Sequence, residues 1–102
     1  MTSVEDERNA AKGAETVLRS LALSPAATQA QIDTLRTAAA IATKASARSF
    51  SSHRNLNALR GEAATLLYGV GGSLANGPPL TQEMISRARN AVAAWQEGLS
   101  AA

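Results

Sequence analysis

Ser49-Phe50-Ser51-Ser52-His53-Arg54-Asn55-Leu56-Asn57-Ala58-Leu59-Arg60-Gly61 is the stretch on which the fold turns. An alanine-rich helical pattern runs up to it and a leucine-bearing one leaves it. The serines at 49, 51 and 52 interrupt that periodicity. Their hydroxyls compete for backbone hydrogen bonds inside a helix but satisfy the free N–H groups at a helix start. The stretch therefore reads as a junction between two helices. Leu56, Leu59, Ala63, Leu66 and Val70 then recur at three- and four-residue spacing, an apolar stripe on a third helix over about 52–74.

The same reading extends outward. Upstream, Ile32, Leu35, Ala39, Ala42 and Ala45 form the stripe of a second helix, about 26–47, with Thr28 and Gln31 spaced as a capping box. Leu23-Ser24-Pro25 separates it from a first helix of about 3–22, whose stripe is Val4, Ala11, Ala14, Leu18 and Leu21. Ser3 is placed to cap that helix, and Glu5, Asp6 and Glu7 suit the positive end of its dipole. Downstream, Gly69, Gly71 and Gly72 weaken the third helix, and Asn76-Gly77-Pro78-Pro79 stops it. Thr81 caps a fourth helix of about 81–98, with Ile85, Ala88, Val92, Trp95 and Leu99 on its stripe and Gly98 near its end.

Four stripes joined by short connections predict an all-α, up-down-up-down four-helix bundle forming a single domain over residues 1–102. Composition agrees. Hydrophobic residues make up 45% of the chain but aromatics only 3%, so the core must be built from alanine and aliphatics. Alanine favours helix and lets backbones approach closely. Leu18, Leu35, Leu59, Leu66, Val92 and Trp95 are the expected core. Cysteine is absent, which excludes disulfides and thiolate chemistry. No run approaches the roughly 20 apolar residues of a membrane helix. Met1-Thr2-Ser3 leads straight into acids without the apolar stretch of a signal peptide.

Net charge is +2 at pH 7, too mild to call for nucleic acid. Its distribution is uneven. Arg36, Lys44, Arg48, Arg54 and Arg60, with His53, lie in a segment that contains no acid. Such a segment can orient a domain against a negatively charged partner, or simply remain a solvated basic face.

Little in the chain reads as chemistry. His53 is the only histidine, so it has no companions for a metal site. On a helix His53, Asn57 and Arg60 share one face, which suits phosphate. Asn57-Ala58-Leu59-Arg60-Gly61 also matches a histidine-phosphotransfer pattern, except that Asn57 occupies the reactive position, and an amide cannot carry a phosphoryl group. Gly69-Val70-Gly71-Gly72-Ser73 lacks both the preceding strand and the following lysine of a phosphate loop and reads as a helix-terminating loop. Glu83 and Glu97 are too far apart to work as a pair. The expectation is no catalytic residue, no cofactor and no metal.

Ser49-Phe50-Ser51-Ser52 followed by Leu56-Asn57-Ala58-Leu59-Arg60-Gly61 resembles the photosystem II assembly and repair family Psb twenty-seven. Its members carry Ser-aromatic-Thr-Thr, then Leu-Asn-Ala-Leu, one residue and Gly. A proline loop and a basic last helix follow, positions taken here by Pro79-Leu80-Thr81 and by the helix with Arg87 and Arg89. Val17-Leu18-Arg19-Ser20-Leu21-Ala22-Leu23 is similar to the family's first-helix ending. Where the family has His-Tyr after the glycine, this chain has Glu62-Ala63. The resemblance extends to related lumenal extrinsic bundles. It implies a non-catalytic accessory protein of the thylakoid lumen, in mature form, peripheral to the membrane. Such a protein docks on the lumenal side of the photosystem II core near the inner antenna protein and assists assembly, repair or stabilisation of the oxygen-evolving complex. The expected partner-binding residues are His53, Arg54, Asn57 and Arg60. The alternatives are a signalling bundle of the phosphotransfer kind and an immunity-type bundle.

Overall fold

A computed structural model describes residues 4–24, 26–48, 54–77 and 79–101. It contains four α-helices and, among the described residues, no strand: α1 (Val4–Leu23), α2 (Gln29–Arg48), α3 (Arg54–Asn76) and α4 (Gln82–Ala101). Each helix packs on its neighbours in sequence, and α4 closes the ring on α1. The short connections make successive helices antiparallel, so this is the expected four-helix bundle. Its long dimension is 38 Å.

The helix ends follow local chemistry. Thr28 Oγ1 accepts the Gln31 amide at 3.2 Å, and Gln31 Oε1 accepts the Thr28 amide at 2.9 Å. This reciprocal pair is a capping box and starts α2 slightly later than the spacing alone suggests. Thr81 Oγ1 accepts the Met84 amide at 3.1 Å and caps α4. The Ser3 cap and the Ser49, Ser51 and Ser52 junction fall outside the described residues.

The end of α3 corrects the reading of its glycines. Gly69, Gly71 and Gly72 form no loop; the helix continues through them to Asn76. Termination comes at Gly77, which has φ +100° and donates its N–H to Ser73 O at 3.1 Å. That is a left-handed cap, a conformation only glycine adopts without steric penalty. The amides of the glycine run therefore belong to a helical ladder rather than to an anion cradle.

The core runs the length of the bundle. Leu18, Leu21, Leu35, Leu67, Ile85, Val92, Trp95 and Leu99 are all buried, with alanines between them at 11, 14, 38, 39, 42, 63, 64 and 88. Leu18, Leu35, Val92 and Trp95 are buried as expected. On α3 the stripe is rotated from the expected one. Leu67, not Leu66, is fully buried, and Leu59 and Leu66 are half-buried. The inward positions are Leu56, Arg60, Ala63, Leu67 and Val70. The expected stripe passed over Arg60 because it is charged, and took its leucine neighbour.

Candidate functional site

Of the residues expected to meet a partner, Arg54, Asn57 and Arg60 lie at the end of the bundle where α1 and α3 begin and α4 finishes. His53 lies outside the described residues. Arg54 is the first residue of α3. Asn57 is half-buried. Arg60 is only 5% exposed, and this corrects its expected place on an outer face.

Arg60 points into the bundle because Glu7 is there. Glu7 sits on α1 one turn before Ala11, in the same inward file as Ala14, Leu18 and Leu21, and is 2% exposed. Arg60 Nε donates to Glu7 Oε2 at 2.7 Å and Arg60 Nη2 donates to Glu7 Oε1 at 2.8 Å. This two-bond fork fits the planar guanidinium to the planar carboxylate. Trp95, fully buried on α4, donates its indole Nε1–H to Glu7 Oε2 at 2.7 Å. Asn57, one turn back on α3, accepts from Arg60 Nη1 at 3.0 Å through Oδ1. Among the described residues no buried side-chain nitrogen or oxygen lacks a partner.

The cluster joins α1, α3 and α4 at one level. Glu7 and Arg60 also reach across the diagonal of the ring, between two helices that are not ring neighbours. An unpaired charge at this depth would cost several kcal/mol, of order 3–5. Chemically, the carboxylate already receives three hydrogen bonds, and the guanidinium is held by the carboxylate and an amide. These groups hold one another.

Beside the cluster, two leucines of α3 pack directly over a glycine of α4. A methyl group on Gly98 of α4 would lie 2.9 Å from Leu59 Cδ1 and 3.0 Å from Leu56 Cδ1 on α3. Leu56, Asn57, Leu59 and Arg60 thus all serve the joint between α3 and its neighbours. Gly61 differs, because a methyl there would meet nothing within 4 Å. Arg8 Nη2 also donates to Leu99 O at 3.2 Å, tying the start of α1 to the last turns of α4.

Sequence reasoning treated Glu7 as a helix-dipole acid and Arg60 as a docking residue. A signal for the pair was present. Glu7 lies at helical spacing between Val4 and Ala11, and Arg60 at helical spacing between Leu56 and Ala63. Opposite charges within two apolar files can bury only against each other. Among the described residues no three His, Cys, Asp or Glu side chains are grouped to hold a metal ion. Nor is any described helix long and apolar enough to cross a membrane.

No protein family, curated protein or solved structure matches the chain.

Proposed function

We propose that the chain is a non-catalytic accessory protein that docks on the lumenal side of the photosystem II core, near the inner antenna protein. There it assists assembly, repair or stabilisation of the oxygen-evolving complex. The observation that carries the reading is the place of the family-like motif in the bundle. Its described part, Leu56-Asn57-Ala58-Leu59-Arg60-Gly61, opens α3, and four of its side chains build the joint with α1 and α4. A motif used this way belongs to an architecture, and the order of segments around it follows that of the family. The phosphotransfer alternative gains nothing, since the amide in the reactive position is bonded to Arg60.

Docking in this reading uses the α2–α3 junction, with Arg54 and His53, while Asn57 and Arg60 act from behind by holding the start of α3 in place. Association with detergent-solubilised photosystem II core particles, measured by pull-down, tests it. Binding is expected at low salt and should weaken as salt rises, because exposed charges are screened over about 10 Å at 0.1 M. Arg54→Glu should weaken it further. Absence of binding at low salt would overturn the proposal.

A further inference from the structure

A second surface lies away from the junction, along the seam between α1 and α4. Two adjoining cavities, about 350 and 210 Å³, run along it, and Gln96 lines both. Arg89 lines the first, and Lys12 and Arg8 line the second. The one carboxylate among the described lining residues, Glu15, is ion-paired with Arg19 on its own helix. Glu5 stands 4.0 Å from Arg8 at the outer edge. Among the described residues neither Lys12 nor Arg89 has an ion-pair partner, and both are exposed. The seam therefore carries an excess of positive charge, whereas Arg36 on α2 lies against Gly71 of α3, away from it.

We infer that this seam is a docking groove for an acidic segment of a partner protein, bound in extended conformation. Three features select that occupant. The unpaired cations call for carboxylates. The amides of Asn90 and Gln96 supply both donors and acceptors, as a peptide backbone requires. Among the described residues the lining contains no aromatic ring on which a nucleic-acid base would stack. Length also fits: Ser86 to Ser100 spans about 21 Å of helix at 1.5 Å per residue. An extended chain at roughly 3.3 Å per residue covers that with about six residues. The inference is independent of the compartment and partner proposed above, and its test uses no photosystem component.

A fluorescein-labelled hexaglutamate peptide is titrated with the intact protein at low salt and followed by anisotropy. The peptide should bind saturably. The double variant Lys12→Glu, Arg89→Glu should lose at least about tenfold in affinity, because reversed charge repels the same carboxylates. The control Arg36→Glu, Lys44→Glu makes the same change in net charge on exposed positions of α2, which is not a ring neighbour of α4, and should bind nearly as the parent does. Should the reversed groove lose helical circular dichroism, the neutral pair Lys12→Gln, Arg89→Gln replaces it, with a smaller loss expected. The inference is overturned if the parent does not bind. It is equally overturned if groove and control variants lose affinity alike, or if an oligothymidylate of equal charge binds as well as the peptide.

Discussion

The two ends of the bundle solve the same packing problem differently. At the end where α1 and α3 finish and α2 and α4 begin, Leu18, Leu21, Leu35, Leu67, Val70 and Ile85 fill the interior with aliphatic carbon. At the other end the space between α1, α3 and α4 is occupied by Glu7, Arg60 and Trp95, linked by three hydrogen bonds to one carboxylate. Aliphatic contacts are non-directional, so the first end accepts small rotations and shifts with little change in energy. The second end accepts none, because a guanidinium fork and an indole N–H must both reach the same two oxygens. A core rich in alanine has few large knobs to set the helices' heights, and here a polar lock supplies that information.

The contrast predicts a graded set of outcomes. The largest effect should come from Arg60→Ala, which strands the Glu7 carboxylate with the indole as its remaining described donor. Destabilisation of about 3–5 kcal/mol is expected, read as a fall in midpoint in urea followed by circular dichroism. A loss under about 1 kcal/mol would show that the carboxylate reaches water, and that the two ends differ less than their packing suggests. At the aliphatic end, Leu67→Ala should cost about 2–4 kcal/mol through lost burial and an incompletely collapsed cavity.

Removing both charges at once sharpens the comparison. Glu7→Leu combined with Arg60→Met should be far milder than Arg60→Ala, within about 1 kcal/mol of the parent or more stable. The interest lies in its side-chain NMR dispersion. If the lock sets helix height, the double variant should keep its helicity but lose dispersion around Trp95, whereas unchanged spectra would mean that aliphatic packing alone specifies the alignment. Smaller still is Gly61→Ala. The added methyl meets nothing, and alanine is favoured over glycine within a helix by up to about 1 kcal/mol. A modest rise in stability is expected, and a fall would point to a contact that the open space does not reveal.

Much of the architecture was legible in the sequence, for identifiable reasons. Thr28 with Gln31, Thr81 and the Asn76-Gly77 stop are short-range devices, and each acts within a few residues of where it is written. The stripes of α2 and α4 followed from periodicity because their leucines and alanines leave little ambiguity about which side is apolar, whereas on α1 the expected Val4 is exposed and on α3 Leu67 takes the place expected of Leu66. The Gly69 to Gly72 region misled because three glycines weaken a helix locally, while Leu67 and Val70 bury enough surface to carry it through. The candidate site was legible only as a set of motif residues. Arg60 is a cation in an acid-free segment; its spacing between Leu56 and Ala63 marks it as inward-facing, but which acid it meets, 53 positions earlier, is not written near it. Pairing across the bundle is a property of the helix alignment, and that alignment is itself partly set by the pair. The α1–α4 seam was missed for the same reason: Lys12 and Arg89 become neighbours of one groove only after the ring has closed.

The bond from Trp95 to Glu7 has an optical consequence. This is the chain's single tryptophan, so all indole fluorescence comes from the locked end of the bundle. Peptide absorbance, by contrast, averages over all four helices. When that end opens, the indole leaves a sealed, ion-lined site for water, and its emission moves to longer wavelength. Comparing the two signals on one sample, under heat or denaturant, distinguishes a bundle that comes apart as a unit from one that unlatches at Glu7 while the aliphatic end still holds.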